Sequence, residues 1–395
     1  MCYRALDSDQ DQQGLQETAL EHYGACMRLL VDTTAAIEET SDLDCILATL
    51  WLMIAYEQKF GDGSGVGLTA HLKGAASIVQ LRLRNLKDLM IQHDTNNQAA
   101  MATFPPLDAR SRESHWKISP FAGRMIVWIA FLDGCAAFHG FGGDFNRALG
   151  EIMMTSDDPA SSRIRGFNTI HHYSALMGRR AWGSSYPQEQ LLEDLENRQL
   201  LYLYGELGQL RYLLAKLATA HETEEQNTAD YASLVYRAIR DISNRYSELL
   251  DVATEFGGAS GHTRTFIRNI RFVVPLYQAI VLCFLRFTDR ATSLRDQRQL
   301  ALREITTLAF QAHHDEGESA MARIAWPLLV AVLETDDLLH RDWILARFEH
   351  LKNRGENYRR AHRVLQAEFA DPLPHQGILG FLRAVRRNEL DRFVI

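Results

Sequence analysis

Cysteine is scarce and scattered in this 395-residue sequence. Cys2, Cys26, Cys45, Cys135 and Cys283 form no Cys-x-x-Cys pair, which argues against both a disulfide framework and a structural zinc cluster. Long apolar runs are missing too. The longest, near residues 273–285, contains Pro275 and Gln278 and is too short to cross a bilayer. The N-terminal MCYRALDSDQDQQ lacks the apolar core of a signal peptide. Positive charge is in deficit, 42 Lys and Arg against 50 Asp and Glu, so no basic face for nucleic acid is implied. There is no G-x-S-x-G, H-E-x-x-H, P-loop or G-x-G-x-x-G. The expectation is an intracellular, cytoplasmic protein that binds neither DNA nor membrane directly.

Strand-like alternation is absent as well, with no alternating run longer than four residues. What the sequence has is helical period almost everywhere. Helices are expected over 15–38, 46–60, 68–83, 121–139, 157–182 (broken at Gly166), 188–220, 230–256, 265–290, 295–312, 318–333 and 337–353. The fold class is therefore all-α: residues 1–395 as one large helical body of antiparallel helix hairpins, without significant β-sheet. A polar loop near 92–118, ending in Pro105-Pro106, is the best candidate boundary. Residues 372–395 suggest a last amphipathic tail helix. Ser41-Asp42 is placed to cap the helix that follows it.

The stretch 56–79, YEQKFGDGSGVGLTAHLKGAASIV, joins two apolar helices through a glycine elbow. Gly61, Gly63, Gly65 and Gly67 break the helix, and His71, Gly74, Ala75 and Ile78 share one face of the next. Tyr56-Glu57, the elbow and His71-Leu72-Lys73-Gly74-Ala75 resemble the signature of the fungal-specific transcription factor domain. That family usually has Trp three residues before the His, where Leu68 stands here. Residues 279–286, AIVLCFLR, and 325–344, AWPLLVAVLETDDLLHRDWI, are similar to two further family segments. The resemblance covers roughly residues 15–370 and implies a helical regulatory domain.

Several polar residues stand where chemistry would need them. Asp133 sits within an apolar helix, where a carboxylate needs a partner. That partner is an Arg, a backbone hydrogen bond or a metal facing a cavity. Arg286 closes an apolar run and must either reach the surface or meet an anion, a carboxylate or a diphosphate. Ser247, Asp251 and Glu255 recur every four residues, a spacing that serves either a solvated acidic face or a divalent-cation clamp. Asp336-Asp337-Leu338-Leu339-His340 reads as a helix cap or a degenerate aspartate-rich motif.

The triad 247/251/255 also resembles the second metal motif of class I terpene cyclases. The humulene synthases of fungal tropolone sesquiterpenoid pathways are the catalytic relatives considered. That resemblance implies a magnesium-dependent sesquiterpene cyclase acting on a prenyl diphosphate, farnesyl diphosphate. Asp133, Ser247, Asp251 and Glu255 would hold Mg2+, and Arg286 would take the place of the family's Lys at the leaving group. Trp128, Phe131, Phe284 and Trp326, with Trp51, would shelter the carbocation; the same aromatics also serve as plain core. The alternative is a regulatory domain that binds a ligand or partner, a second copy in a homodimer included, and works in the nucleus. At this level the enzyme is preferred, because no zinc cluster or basic linker accompanies the helical domain. Either way, the chain alone should give no sequence-specific gel shift with duplex DNA at physiological salt; such a shift would overturn the charge argument.

Overall fold

The computed structural model describes residues 21–32, 43–83, 118–153, 159–175, 177–223, 227–256, 265–288, 295–370, 377–387 and 390–395. Among them every regular element is helical and no strand occurs. The expected loop at 92–118 falls almost wholly outside the described residues, as do Pro105-Pro106, the Ser41-Asp42 cap and the GGASGHT loop after residue 256.

Two apolar cores organise the chain. The first is built by α1 (Leu43–Phe60), α2 (Val66–Arg82), α3 (Pro120–Phe138), α4 (Asp144–Met153) and α5 (Pro159–Ser174). The second is built on α6 (Gln188–Glu222) with α7 (Thr228–Arg245), α8 (Thr265–Thr288), α9 (Arg295–Glu316) and α10 (Ala325–Glu334). The helices α11 (Leu338–Leu351), α12 (Glu356–Ala370) and α13 (Gly377–Arg386) complete it. Hairpin partners α1/α2, α6/α7, α8/α9 and α11/α12 pack on each other.

The seam between the cores is the crossing of α3 and α6. Gly134 and Gly208 make it close: a Cβ on Gly134 would lie 2.6 Å from the Gly208 carbonyl oxygen, and one on Gly208 would meet Phe131. α3 begins crisply, with Ser119 accepting from the Ala122 amide (2.9 Å) and Pro120 in the first turn. Nearly all of its faces are buried. By length and hydropathy α3 and α8 could each cross a membrane, yet 78% of each apolar window is covered by the chain's own helices. The run read as too short at 273–285 is thus part of a longer helix.

Some boundaries differ from the sequence expectation. α5 runs through Gly166 and ends at Ser174 instead. The helix expected over 230–256 divides at Tyr246 into α7 and a short turn of helix, Ser247–Val252. The tail helix is confined to Gly377–Arg386, followed by irregular residues 390–395. Two helices, α4 and α12, had no expectation at all.

The elbow between α1 and α2 is as anticipated, but its packing is not. Asp62 Oδ1 accepts from the amides of Ser64 (3.0 Å) and Gly65 (3.2 Å). α2 then buries Leu68, His71, Leu72, Ala75, Ala76 and Val79. Gly74 was expected in the α1–α2 contact; a Cβ there would meet nothing within 4 Å, so it faces away from that packing. Leu68, at the position where the resemblance expects Trp, is buried in the first core.

Gly65 has φ 64°, and a Cβ on it would stand 2.2 Å from the ring of buried Phe141. The left-handed backbone costs an L residue about 1–2 kcal/mol, and displacing a packed ring about 1–3 kcal/mol more. Gly65→Ala should therefore lower the urea unfolding free energy by roughly 2–5 kcal/mol. Gly183, with φ 56° and open space around it, isolates the backbone part, so Gly183→Ala should cost only about 1 kcal/mol. Equal losses in the two variants would contradict the packing argument.

Candidate functional site

Asp133 lies on α3 beside the Gly134 crossing and is wholly buried. Its Oδ1 accepts from the Gly143 amide at 2.7 Å. Its Oδ2 accepts from the amide (2.9 Å) and the Nδ2 (2.8 Å) of Asn146. The carboxylate thus caps the N-terminus of α4 from a neighbouring helix, where free amides and the helix dipole favour an anion. Gln209 on α6 donates to Asn146 Oδ1 at 2.7 Å, tying the network across the seam. Burial pushes the Asp133 carboxyl up, against the downward pull of the Asn146 and Gly143 donors. Both oxygens accept hydrogen bonds from the chain, which is the backbone alternative of the sequence reading.

Arg286 meets a different acid. Its Nε is 3.6 Å from Glu334 Oε1, which also accepts from the Ile378 amide at 2.8 Å. This pair joins α8, α10 and the start of α13. Ser247, Asp251 and Glu255 are all exposed, and the helix carrying the first two ends at Val252, before Glu255. The expected four-residue stripe therefore never forms on one helix face. Asp337 caps α11, accepting from the amides of Leu339 (2.8 Å) and His340 (3.3 Å).

The aromatics do not share a wall either. Trp128 packs on Trp51 at 5.1 Å against the first core. Phe131 meets Tyr204 at the seam, at 4.3 Å. Phe284 and Trp326 belong to the second core, against Tyr236 and Phe138. Among the described residues no group of three or more His, Cys, Asp or Glu side chains could hold a metal ion. Asp133, Ser247, Asp251 and Glu255 do not fit one magnesium site.

A cleft between α5, α6 and α7 is lined by Asn168, Glu206, Gln209 and Asp241 and encloses about 20 Å3. That is room for about one water, not for a prenyl chain. Glu206 Oε2 and Asn168 Oδ1 lack partners there, and a water donating to both would satisfy them. Glu206 Oε1 is held by Arg245 (2.5 Å) and Tyr246 (3.0 Å).

Two clusters were not anticipated. At the elbow, Tyr23 donates to Glu57 Oε1 at 2.8 Å and shares a hydrogen bond with His71 Nε2. The signature residues Glu57 and His71 thus fasten the helical segment 21–32 onto the α1–α2 hairpin. At the seam, Arg211 on α6 is 2% exposed. Its Nη1 donates to Cys135 Sγ at 3.0 Å, and its Nη2 to the main-chain oxygen of Ile395 at 2.9 Å. The guanidinium lies 4.0 Å from the Trp326 ring. Burial lowers the Arg211 pKa, opposed by the nearby Cys135, Cys283 and Tyr204. The rule that singled out Arg286, a guanidinium in an apolar run, applies equally to LGQLRYLLAKLA around Arg211.

His171 on α5 is buried with both ring nitrogens unpartnered. Burial, with Arg124 and His172 adding to it, lowers its pKa to about 3. The unfolded chain takes up this proton below about pH 6.5, while the folded one stays neutral until near pH 3. Stability present above pH 6.5 is therefore lost as pH falls, at about 1.4 kcal/mol per unit, or roughly 2 kcal/mol by pH 5. His171→Leu should remove that part of the loss between pH 7 and pH 5 in chemical denaturation. An unchanged pH slope would mean that His171 titrates alike in the folded and the unfolded chain.

The comparisons with known proteins fall in line with the helical architecture and the elbow. No curated protein and no solved structure matches the chain. The family model of the fungal specific transcription factor domain matches residues 2–367. Over nine-tenths of its length, then, the chain belongs to the fungal specific transcription factor domain family.

Proposed function

We propose that the chain works as the regulatory helical domain of a fungal transcription factor, binding a small ligand or a protein partner rather than DNA. The observation that carries this reading is the family match across residues 2–367. These 395 residues contain no Cys-x-x-Cys cluster and carry a net charge of −8, which favours a small-molecule or protein partner over direct DNA contact by these residues. A second copy of the chain is one such partner, and the site of action would be the nucleus.

The sesquiterpene cyclase reading finds less support. It needs Asp133, Arg286 and the 247/251/255 acids around one diphosphate. Asp133 is consumed by α4, Arg286 faces Glu334, and the three others face solvent.

Two measurements test the proposal. Fused to a heterologous DNA-binding domain in a fungal cell, the chain should change reporter expression several-fold relative to that domain alone. Purified chain incubated with farnesyl diphosphate and Mg2+ should release no hydrocarbon. An inert fusion together with a cyclised product would reverse the order of the two readings.

A further inference from the structure

Residues 390–395 follow α13 without regular structure, yet they enter the centre of the molecule. Phe393 is 1% exposed and packs in the second core, its ring 5.3 Å from His139 and 6.3 Å from Phe381. Val394 is 3% exposed and packs in the first core. Ile395 presents its main-chain oxygen to Arg211. The segment therefore fills a groove along the seam, touching both cores. It is held by few polar contacts. The Val394 amide donates to Asn357 Oδ1 at 3.1 Å, and Arg392 Nη2 donates to the Gly140 carbonyl at 3.0 Å. Asp391 pairs with Arg363 at the surface.

At the polar end of the groove Arg211 donates to Cys135 Sγ and to the Ile395 oxygen. Arg271, equally buried, pairs with Asp315, whereas no carboxylate side chain stands among the described partners of Arg211. Arg211 Nη2 is 3.4 Å from His139 Nε2. A guanidinium only donates, so Nε2 accepts and the ring proton sits on Nδ1. His139 Nδ1 and Arg211 Nε both lack a hydrogen-bond partner. His139 Nδ1 is thus a buried donor without a partner, on the ring that Arg211 touches, and the guanidinium rests on the Trp326 face. An acceptor-only anion fits that set, and a carboxylate engages a guanidinium fork well.

We propose that the groove occupied by residues 393–395 is a binding site for a small apolar carboxylate, and that this segment is a resident stand-in which such an acid displaces. The occupant describes the ligand. An aromatic ring lies between His139 and Phe381, and an oxygen reaches Arg211 two residues further on, about 7 Å in extended chain. An aryl or branched-chain acid of that span meets both ends. Displacement would remove Phe393 from one core and Val394 from the other, so the acid would act on how the halves join. As a regulatory signal this rests on the proposed function; binding itself does not.

The probe is 4-phenylbutyrate, with 4-phenylbutyramide as the uncharged control. In the full chain, Phe393→Ala empties the ring position. The acid should then raise the melting temperature of this variant and bind it at least tenfold more tightly than the amide by calorimetry. Adding Arg211→Met should abolish that preference. Equal binding of acid and amide, or no binding to a folded Phe393→Ala chain, would overturn the proposal. The wild-type chain provides a measurement that needs no variant to fold. Millimolar acid, and not amide, should speed hydrogen exchange at the Val394 amide, and unchanged exchange would likewise overturn it. Binding without any reporter response in the fusion assay would sink the regulatory reading and leave the site standing.

Discussion

The crossing of α3 and α6 is the constraint on which the interior depends. Glycine at 134 and 208 brings two backbones into contact where side chains would hold them apart. The polar groups that flank those glycines then find one another. Asp133 and the Asn146 it holds meet Gln209 on one side, and Cys135 and His139 meet Arg211 on the other. Polar groups buried this deeply cost least when their partners arrive at the right distance. A wider crossing would leave each network half made. Apolar residues fill both cores, but these polar residues give the crossing its register.

The family signature gains a physical meaning from the elbow. Asp62 closes the turn, Gly65 supplies its left-handed residue, and Glu57 and His71 both hold Tyr23. On the opposite side, Asn357 and Arg360 of α12 donate to the carbonyls of Gln58 (2.6 Å) and Gly61 (2.8 Å). The elbow is thus a joint into which two distant parts of the chain plug, the segment carrying Tyr23 and α12, and residues of the motif serve that joint.

Much of this was legible in the sequence, and the failures have particular causes. The sequence pointed to α1, α2, α3, α6, α8 and α9; of these α3 is apolar throughout and α8 has a pronounced apolar face. α12 buries Ala361, Val364 and Leu365 at helical spacing, but Asn357, Arg360, His362 and Glu368 are buried among them and obscure the apolar stripe. Asp133 was marked correctly as a buried acid in need of a partner. That partner, the start of α4 only 10 to 13 residues away, carries no motif, since backbone amides have no sequence identity. Spacing misled at 247/251/255, because four-residue periodicity assumes a helix that in fact stops at Val252. Gly74 shows that a small residue in a motif need not mark a contact.

The joint at Asn357 has a consequence for how the chain reaches this state. Its side chain meets the carbonyl of Gln58 across a sequence separation of 299 residues. Closing so large a loop is slow, and its entropy is recovered only when the contact forms. During synthesis the first core can close once α5 has emerged, whereas the carbonyls of Gln58 and Gly61 wait for α12. At translation speeds of roughly 5–20 residues per second, that interval is on the order of half a minute. The elbow is thus the last part of the first core to acquire all its hydrogen-bond partners.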